Sequence, residues 1–262
     1  MTEIFLASLL LGILAGIAAG LFGIGGGALI VPVLAWLFQA QHFNPEQIML
    51  LAVATSLATA IFTSTASVRT HHKLGNIDWR RALHLAPSML LGAGGGAVLA
   101  KYISADLLRW FFVAYLLYTS VQMAIPRKTK TSTRPARQFL DYPTGLLIGV
   151  LSAILGIGGG TMTVPYLVGN GLAMKNAVAT SSACAIPIAL SAAASYAVLG
   201  WQDSHLPVGS LGYLYLPAFA GIVLTSIFTA PLGAKLAHRL PAQKLKRYFA
   251  IVLLAIAIKM AW

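Results

Sequence analysis

The sequence predicts an all-α polytopic membrane protein made of two homologous halves, and three observations carry that prediction. The 262 residues are 58% hydrophobic and only 9% charged, with a mean hydropathy of +0.81, against about 25% charged in an ordinary soluble domain. Apolar runs recur at the length a bilayer demands, about 20 residues per helix. The same short motifs also occur twice, in the same order. The composition excludes a soluble globular enzyme. The net charge of +12 does not point to nucleic acid, because most of the 18 Lys and Arg lie in three short polar stretches between apolar runs, the pattern of cytoplasmic loops. A single cysteine, Cys184, leaves no disulfide framework and no multi-cysteine metal site. The first twenty residues carry Glu3 and no Lys or Arg, so they read as a retained membrane segment and not a cleaved leader.

Eight apolar segments follow one another: residues 4–38, 48–68, 82–100, 107–125, 143–169, 175–199, 211–233 and 245–261. The longest polar connection, PRKTKTSTRPARQFLD from Pro126 to Asp141, is rich in Pro, Ser, Thr and basic residues and has nothing to bury. It divides the chain into a first membrane repeat (1–125), a basic cytoplasmic linker (126–141) and a second membrane repeat (142–262).

The halves are copies of one another. FGIGGG at Phe22 to Gly27 matches LGIGGG at Leu155 to Gly160, and each is followed by a proline, Pro32 and Pro165. AVATS at Ala52 to Ser56 recurs at Ala177 to Ser181, and LLRWFF at Leu107 to Phe112 is answered by KLKRYF at Lys244 to Phe249. Duplication of this kind marks secondary transporter folds that bind substrate between repeats.

Charge gives the orientation. In the first half the loop after AVATS is basic (Arg69, Lys73, Arg80, Arg81) and the next is poor in charge; in the second half the loop around Asp203 and His205 has no Lys or Arg, while the next carries Lys235, Arg239, Lys244, Lys246 and Arg247. By the positive-inside rule the halves are inverted repeats. Inversion requires an odd number of crossings per half, so the glycine-interrupted first segment of each is expected to be broken or re-entrant, beside three full spans. The alternative is eight simple spans in two parallel repeats.

Consecutive glycines cost about 1 kcal/mol each in a helix relative to alanine, so the helix is expected to break at Gly23, Gly25, Gly26 and Gly27 and again at Gly156, Gly158, Gly159 and Gly160. New half-helices starting near Ala28 and Thr161 would aim their N-terminal N–H groups at the break, an anion site needing no cationic side chain. Pro32 and Pro165 support the break by freeing the carbonyls of Ala28 and Thr161 to face water or a coupling cation, proton or sodium. Such glycine motifs also serve close helix packing; duplication with the same downstream proline favours the functional break. No Walker Lys-Ser/Thr follows either motif, so no nucleotide site or other cofactor is expected.

Hydroxyls supply the second ingredient. Thr55, Ser56, Thr59, Thr63, Ser64 and Ser67 line one side of their helix, and Thr180, Ser181, Ser182, Ser191 and Ser195 partly repeat them. They also suit packing between membrane helices, but at a repeat interface Thr55, Ser56, Thr180 and Ser181 are expected to donate to an oxyanion. All six acids lie in loops or at segment ends, so no buried carboxylate is expected as a proton relay. His84 reads as interfacial, Arg69 as snorkelling to the interface, and Cys184 as packing. The adjacent His71 and His72 have no partner at ligand spacing, so no metal is expected. Small-residue surfaces such as Gly92 to Gly96 suit packing within one chain or between copies in a homo-oligomer.

The pair FGIGGGALIVP and LGIGGGTMTVP, each followed by AVATS, together with GNIDW at Gly75 to Trp79, resembles the sulfite exporter TauE/SafE family, also called the toluene sulfonate uptake permeases. The resemblance covers nearly the whole chain. It implies a multi-pass protein of the bacterial inner membrane that moves a small anion such as sulfite, sulfoacetate or a related sulfonate, with no enzyme activity. Such an anion, with its delocalised charge, suits backbone N–H groups and hydroxyls in a dry site. A passive anion channel, or a membrane partner of a sulfur-metabolising system, are the other functional classes the pattern admits. The loop Gly200 to Gly212, GWQDSHLPVGSLG, echoes GNIDW only loosely, which weakens the case for a functional twin of Asp78 and Trp79 there.

Overall fold

The computed structural model describes residues 2–23, 26–124, 140–203, 205–239 and 242–262, which are almost wholly helical. The first apolar segment gives two helices, α1 (Thr2–Phe22) and α2 (Gly27–Ala40), followed by α3 (Pro45–Lys73), α4 (Trp79–Lys101) and α5 (Ala105–Ala124). The second half repeats the order with α6 (Asp141–Leu155), α7 (Gly160–Gly169) and α8 (Met174–Leu199), a short antiparallel hairpin of β1 (Ser210–Leu211) and β2 (Leu214–Tyr215), then α9 (Leu216–Arg239) and α10 (Ala242–Ala261). Both glycine motifs split their segment, and the new helices start at Gly27 and Gly160, one residue ahead of the expected Ala28 and Thr161. Gly25 and most of the linker lie outside the described residues; α6 starts at Asp141, the last residue read as linker.

Six of these helices, α1, α3, α4, α5, α8 and α9, are long and apolar enough to cross a membrane, and α2, α6 and the apolar part of α10 are shorter. Leu6, Leu10 and Leu14 of α1 and Trp110, Phe111 and Tyr118 of α5 are exposed, as a lipid-facing surface allows and a water-facing one does not.

Each broken segment turns back on itself. Gly26, at the start of α2, lies against Ala15 in the middle of α1. At the open end, Gln41 Nε2 donates to Glu3 Oε2 over 3.2 Å. In the second half Tyr166 of α7 likewise reaches back to donate to Asp141 at the start of α6. Each half is therefore one helical hairpin plus three further long helices.

Helices exchange partners between halves. α1 runs parallel to α9, and α6 parallel to α4, through stripes of small residues. A Cβ added at Gly12 would stand 2.2 Å from Thr225 Oγ1, and one at the matching Gly145 2.2 Å from Ser88 Oγ. The backbones approach this closely only because glycine supplies no side chain. Gly92 and Gly96 pack on Leu146 and Val150 of α6 in the same way, so this small-residue face is filled within the chain. At the centre α3 and α8 pack antiparallel: Gln47 Nε2 donates to Asp203 Oδ2 (2.9 Å) at one end, and Asp78 N to Thr180 Oγ1 (3.0 Å) at the other. α5 and α10 are antiparallel too, with Arg109 Nε on Met260 O (2.6 Å) and Ser120 Oγ on Ala250 O (2.8 Å).

A candidate substrate site at the two glycine breaks

The two breaks share one backbone design. Gly23 (φ 69°) ends α1 and Gly156 (φ 69°) ends α6; Gly26 (φ 78°) precedes α2 and Gly159 (φ 72°) precedes α7. All four are left-handed, where a side chain costs about 1–2 kcal/mol, so glycine is required by conformation as well as by space. Among the described residues Leu29 N and Ile30 N are the first donors inside α2, both to Gly26 O, and Met162 N and Thr163 N the first inside α7, both to Gly159 O. The N–H groups of Gly27 and Ala28, and of Gly160 and Thr161, stand ahead of those bonds, with no side-chain cap on either helix. Gly27, Ala28, Gly159, Gly160 and Thr161 are all buried.

The breaks also meet. A Cβ on Gly27 would fall 2.2 Å from Gly156 O and 2.9 Å from Ile157 Cα, so backbone of one half rests on backbone of the other. Pro32 and Pro165 lie inside α2 and α7, a turn beyond each start.

The AVATS hydroxyls come to this centre, where they hold protein groups. Ser56 Oγ donates to Gly156 O over 2.8 Å, and Ser181 Oγ donates to Gly23 O at 3.3 Å while sharing its proton with Val178 O at 2.9 Å. Thr55 Oγ1 accepts from Tyr215 N and Thr180 Oγ1 accepts from Asp78 N, both at 3.0 Å. Each half thus fastens the break and the loop of the other. We expect Ser56→Ala to lower stability by about 1–3 kcal/mol, the cost of a buried carbonyl left unpaired. Ser181→Ala costs less, because its bond is longer and divided; equal losses in thermal unfolding of the purified protein would contradict this reading.

The Thr55 and Thr180 contacts reveal a twin for GNIDW that the sequence hides. Gly75 (φ 68°) and Gly212 (φ 55°) each stand four residues before a helix, α4 at Trp79 and α9 at Leu216. Asp78 and Tyr215 then occupy equivalent places and give the same backbone N–H to the same threonine. Asp78 adds an N-cap, accepting from Arg81 N at 3.0 Å. In the opposite loop Tyr213 donates to Asp203 Oδ2 at 3.3 Å, and burial first, then the Asp203 carboxylate, raises its phenol pKa and keeps it a donor.

The polar surroundings of the two breaks differ. Beside α7, Thr161 Oγ1 lies 2.9 Å from Tyr115 OH. Ser152 Oγ, fully buried and without a hydrogen-bond partner among the described residues, stands 3.0 Å from where a Gly159 Cβ would be. The matching positions beside α2 are Ala28 and Ala19. The expectation of no buried carboxylate is corrected here: Asp141 has 0% exposure, since α4 and α7 close over the start of α6.

Comparison with known proteins decides the family. The family model for sulfite exporter TauE/SafE matches residues 8–260. The chain belongs to the sulfite exporter TauE/SafE family. Among TauE/SafE-type relatives, a probable membrane transporter protein of Haemophilus influenzae is 38% identical over 99% of both chains. One of Methanocaldococcus jannaschii is 27% identical over 91% of this chain and 88% of its own. One of Bacillus subtilis, YunE, is 25% identical over 98% and 97%. No solved structure matches. This TauE/SafE protein is a multi-pass membrane transporter for a small molecule, not an enzyme.

Proposed function

We propose that the protein is a secondary transporter that carries a small sulfur-containing oxyanion, sulfite or a sulfonate, across the bacterial inner membrane. The observation that carries this reading is the doubled glycine break, with uncapped and buried helix N-termini at Gly27 and Gly160 in a membrane interior. Such termini favour an anion through aligned N–H groups and the helix dipole. The α7 side, with Gly158, Gly159, Gly160, Thr161, Ser152 and Tyr115, is the stronger seat, because hydroxyls join the N–H groups there. Gly23, Gly26 and Gly156 shape the breaks, and Ser56 and Ser181 position them.

The antiparallel pairing of α3 with α8 and of α5 with α10 supports inverted repeats, each with a re-entrant hairpin and three spans. Alternating access then moves bodies that are not the sequence halves. The close glycine contacts join α1 to α9 and α6 to α4, and the contact of Gly27 on Gly156 and Ile157 is the seam between the two pairs. No cofactor is needed beyond a coupling ion, proton or sodium.

The test is uptake of radiolabelled sulfite, sulfoacetate, taurine and a non-sulfur carboxylate into liposomes holding the purified protein, with and without imposed pH and sodium gradients. Saturable, gradient-accelerated flux of one sulfur anion with counterflow is expected. Unsaturable flux would make the protein a channel, and carboxylate flux alone would remove sulfur from the substrate class.

A further inference from the structure

Asp141 sits where two interpretations of a charge compete. At the edge of an apolar segment a carboxylate ordinarily faces water, yet this one is wholly enclosed. Arg81 Nη2 of α4 approaches its Oδ1 to 3.3 Å, and Tyr166 of α7 donates to the same oxygen. Among the described residues the other oxygen, Oδ2, has no hydrogen-bond partner and lies 3.8 Å from His84 Nε2, which has none either. His84 is one-third exposed, and its ring lies 4.8 Å from that of Tyr142 at a tilt of 58°. Arg81 and His84 from α4, Tyr142 from α6 and Tyr166 from α7 are the titratable groups that face Asp141 among the described residues, with Thr144 beside Tyr166.

Packing does not require this cluster. In the register set by the two glycine motifs and by Gly75 and Gly212, Asp141 corresponds to Ser8, His84 to Gly221, Arg81 to Ala218 and Tyr166 to Val33. The first half makes the same helix contact with those small and apolar groups, Gly221 lying against Ser8. One fold therefore solves the contact twice, once without charge. A buried ion pair adds little stability over an apolar replacement, and an ionisable group held inside a membrane protein marks a functional site.

We propose that Asp141 and His84 are the proton site that couples this transporter to a proton gradient. A proton taken up on the exposed part of the His84 ring makes it an imidazolium whose buried Nε2–H faces Asp141. The Nε2 proton then passes to Asp141 Oδ2: the Nε2–H bond breaks, the Oδ2–H bond forms, and the imidazole and the carboxyl both end neutral. A neutral carboxyl accepts weaker hydrogen bonds than a carboxylate, so the grip of Arg81 and Tyr166 relaxes and α7 is freed from α6 and α4. Because the N-terminus of α7 is the anion seat proposed above, proton occupancy and anion access are linked through Tyr166, and this step rests on that reading.

Two readouts keep the proposals apart. Infrared difference spectra of the purified full chain, between acidic and alkaline buffer with no anion added, should show a protonated-carboxyl band at the high frequency of an enclosed carboxyl, apart from the bands of the other five acidic side chains. That band should vanish in Asp141→Asn, persist in Asp141→Glu, and move to a different pH in His84→Gln. The paired variant Asp141→Asn with Arg81→Gln removes both charges, avoids an uncompensated buried cation, and should also lack the band. In sulfite liposomes the same paired variant should lose accumulation driven by a pH gradient. A band that survives Asp141→Asn, or pH-driven sulfite accumulation that survives the paired variant, overturns the proton site. A band lost with Asp141 in a protein that moves no sulfite keeps the proton site and overturns the sulfite reading.

Discussion

Gly27→Val is expected to unfold the centre of the molecule and to abolish transport. The added Cβ would stand 2.2 Å from Gly156 O and 2.9 Å from Ile157 Cα, and both neighbours are backbone. No rotamer change relieves such a contact, so α2 or the α6–α7 turn has to move. Gly156 O is also the acceptor for Ser56 Oγ, so a shift there breaks the hydrogen bond that ties α3 to the opposite half. Overpacking of a well-filled interior costs about 1–3 kcal/mol, and more where backbone must yield, so we expect about 3 kcal/mol or more. Thermal unfolding in detergent measures it. The control is Gly95→Ala in α4, where an added Cβ meets nothing within 4 Å. That substitution should leave transport intact and raise stability by about 0.5–1 kcal/mol, the helix propensity gain of alanine over glycine. A Gly27→Val protein as stable as the Gly95→Ala control would show that the halves do not touch there.

Gly159→Leu is expected to leave a folded protein in the membrane with no flux. The backbone is left-handed at φ 72°, so any side chain is strained by about 1–2 kcal/mol. The nearest atom to the new Cβ is Ile188 Cδ1 at 2.8 Å, the free end of a flexible side chain, followed by Ser152 Oγ at 3.0 Å. Both can turn aside, unlike the carbonyl that faces Gly27. What does not recover is the ground in front of the Gly160 and Thr161 N–H groups, which a leucyl side chain fills. Gly26→Leu, at φ 78° with its new Cβ 3.0 Å from the backbone oxygen of Ala15, is expected to lose flux at the other break and to lose more stability, because backbone of α1 has to give way. The assay is sulfite flux per milligram of folded protein, and wild-type flux in Gly159→Leu would remove this break from the substrate path.

The parts of the fold legible in the sequence are those that depend on backbone chemistry local to a few residues. Glycine runs break helices and a proline frees a carbonyl wherever they occur, so the ends of α1 and α6 and the starts of α2 and α7 were expected to within one residue. The twin of GNIDW was missed because the conserved contact uses the backbone N–H of Asp78 and Tyr215, to which the side chain contributes nothing. Only the left-handed Gly212 marked it. Asp141 was misread because its enclosure depends on Arg81 and Tyr166, which are remote in sequence. Ser152 and Tyr115 escaped for the opposite reason: they occur beside one break and are absent from the other, so a search for repeats passes over them. The AVATS hydroxyls bond to backbone groups of the two breaks and loops, and periodicity does not say whether a hydroxyl faces a ligand or a carbonyl.

The exchange of partners between α1 and α9 bears on how the chain is made. During synthesis α1 is among the first elements to leave the ribosome and α9 almost the last, more than 190 residues later. Until α9 arrives, the glycine stripe of Gly12, Gly16 and Gly20 has no helix to lie against. The hairpin of α1 and α2 must wait in the bilayer with that stripe open to lipid, held by its own hydrophobicity. Contacts of such long sequence separation form late and slowly. A chain interrupted after α8 would therefore lack α9 and α10 and also strand α1, and the cell's quality-control proteases would meet a protein defective in both halves.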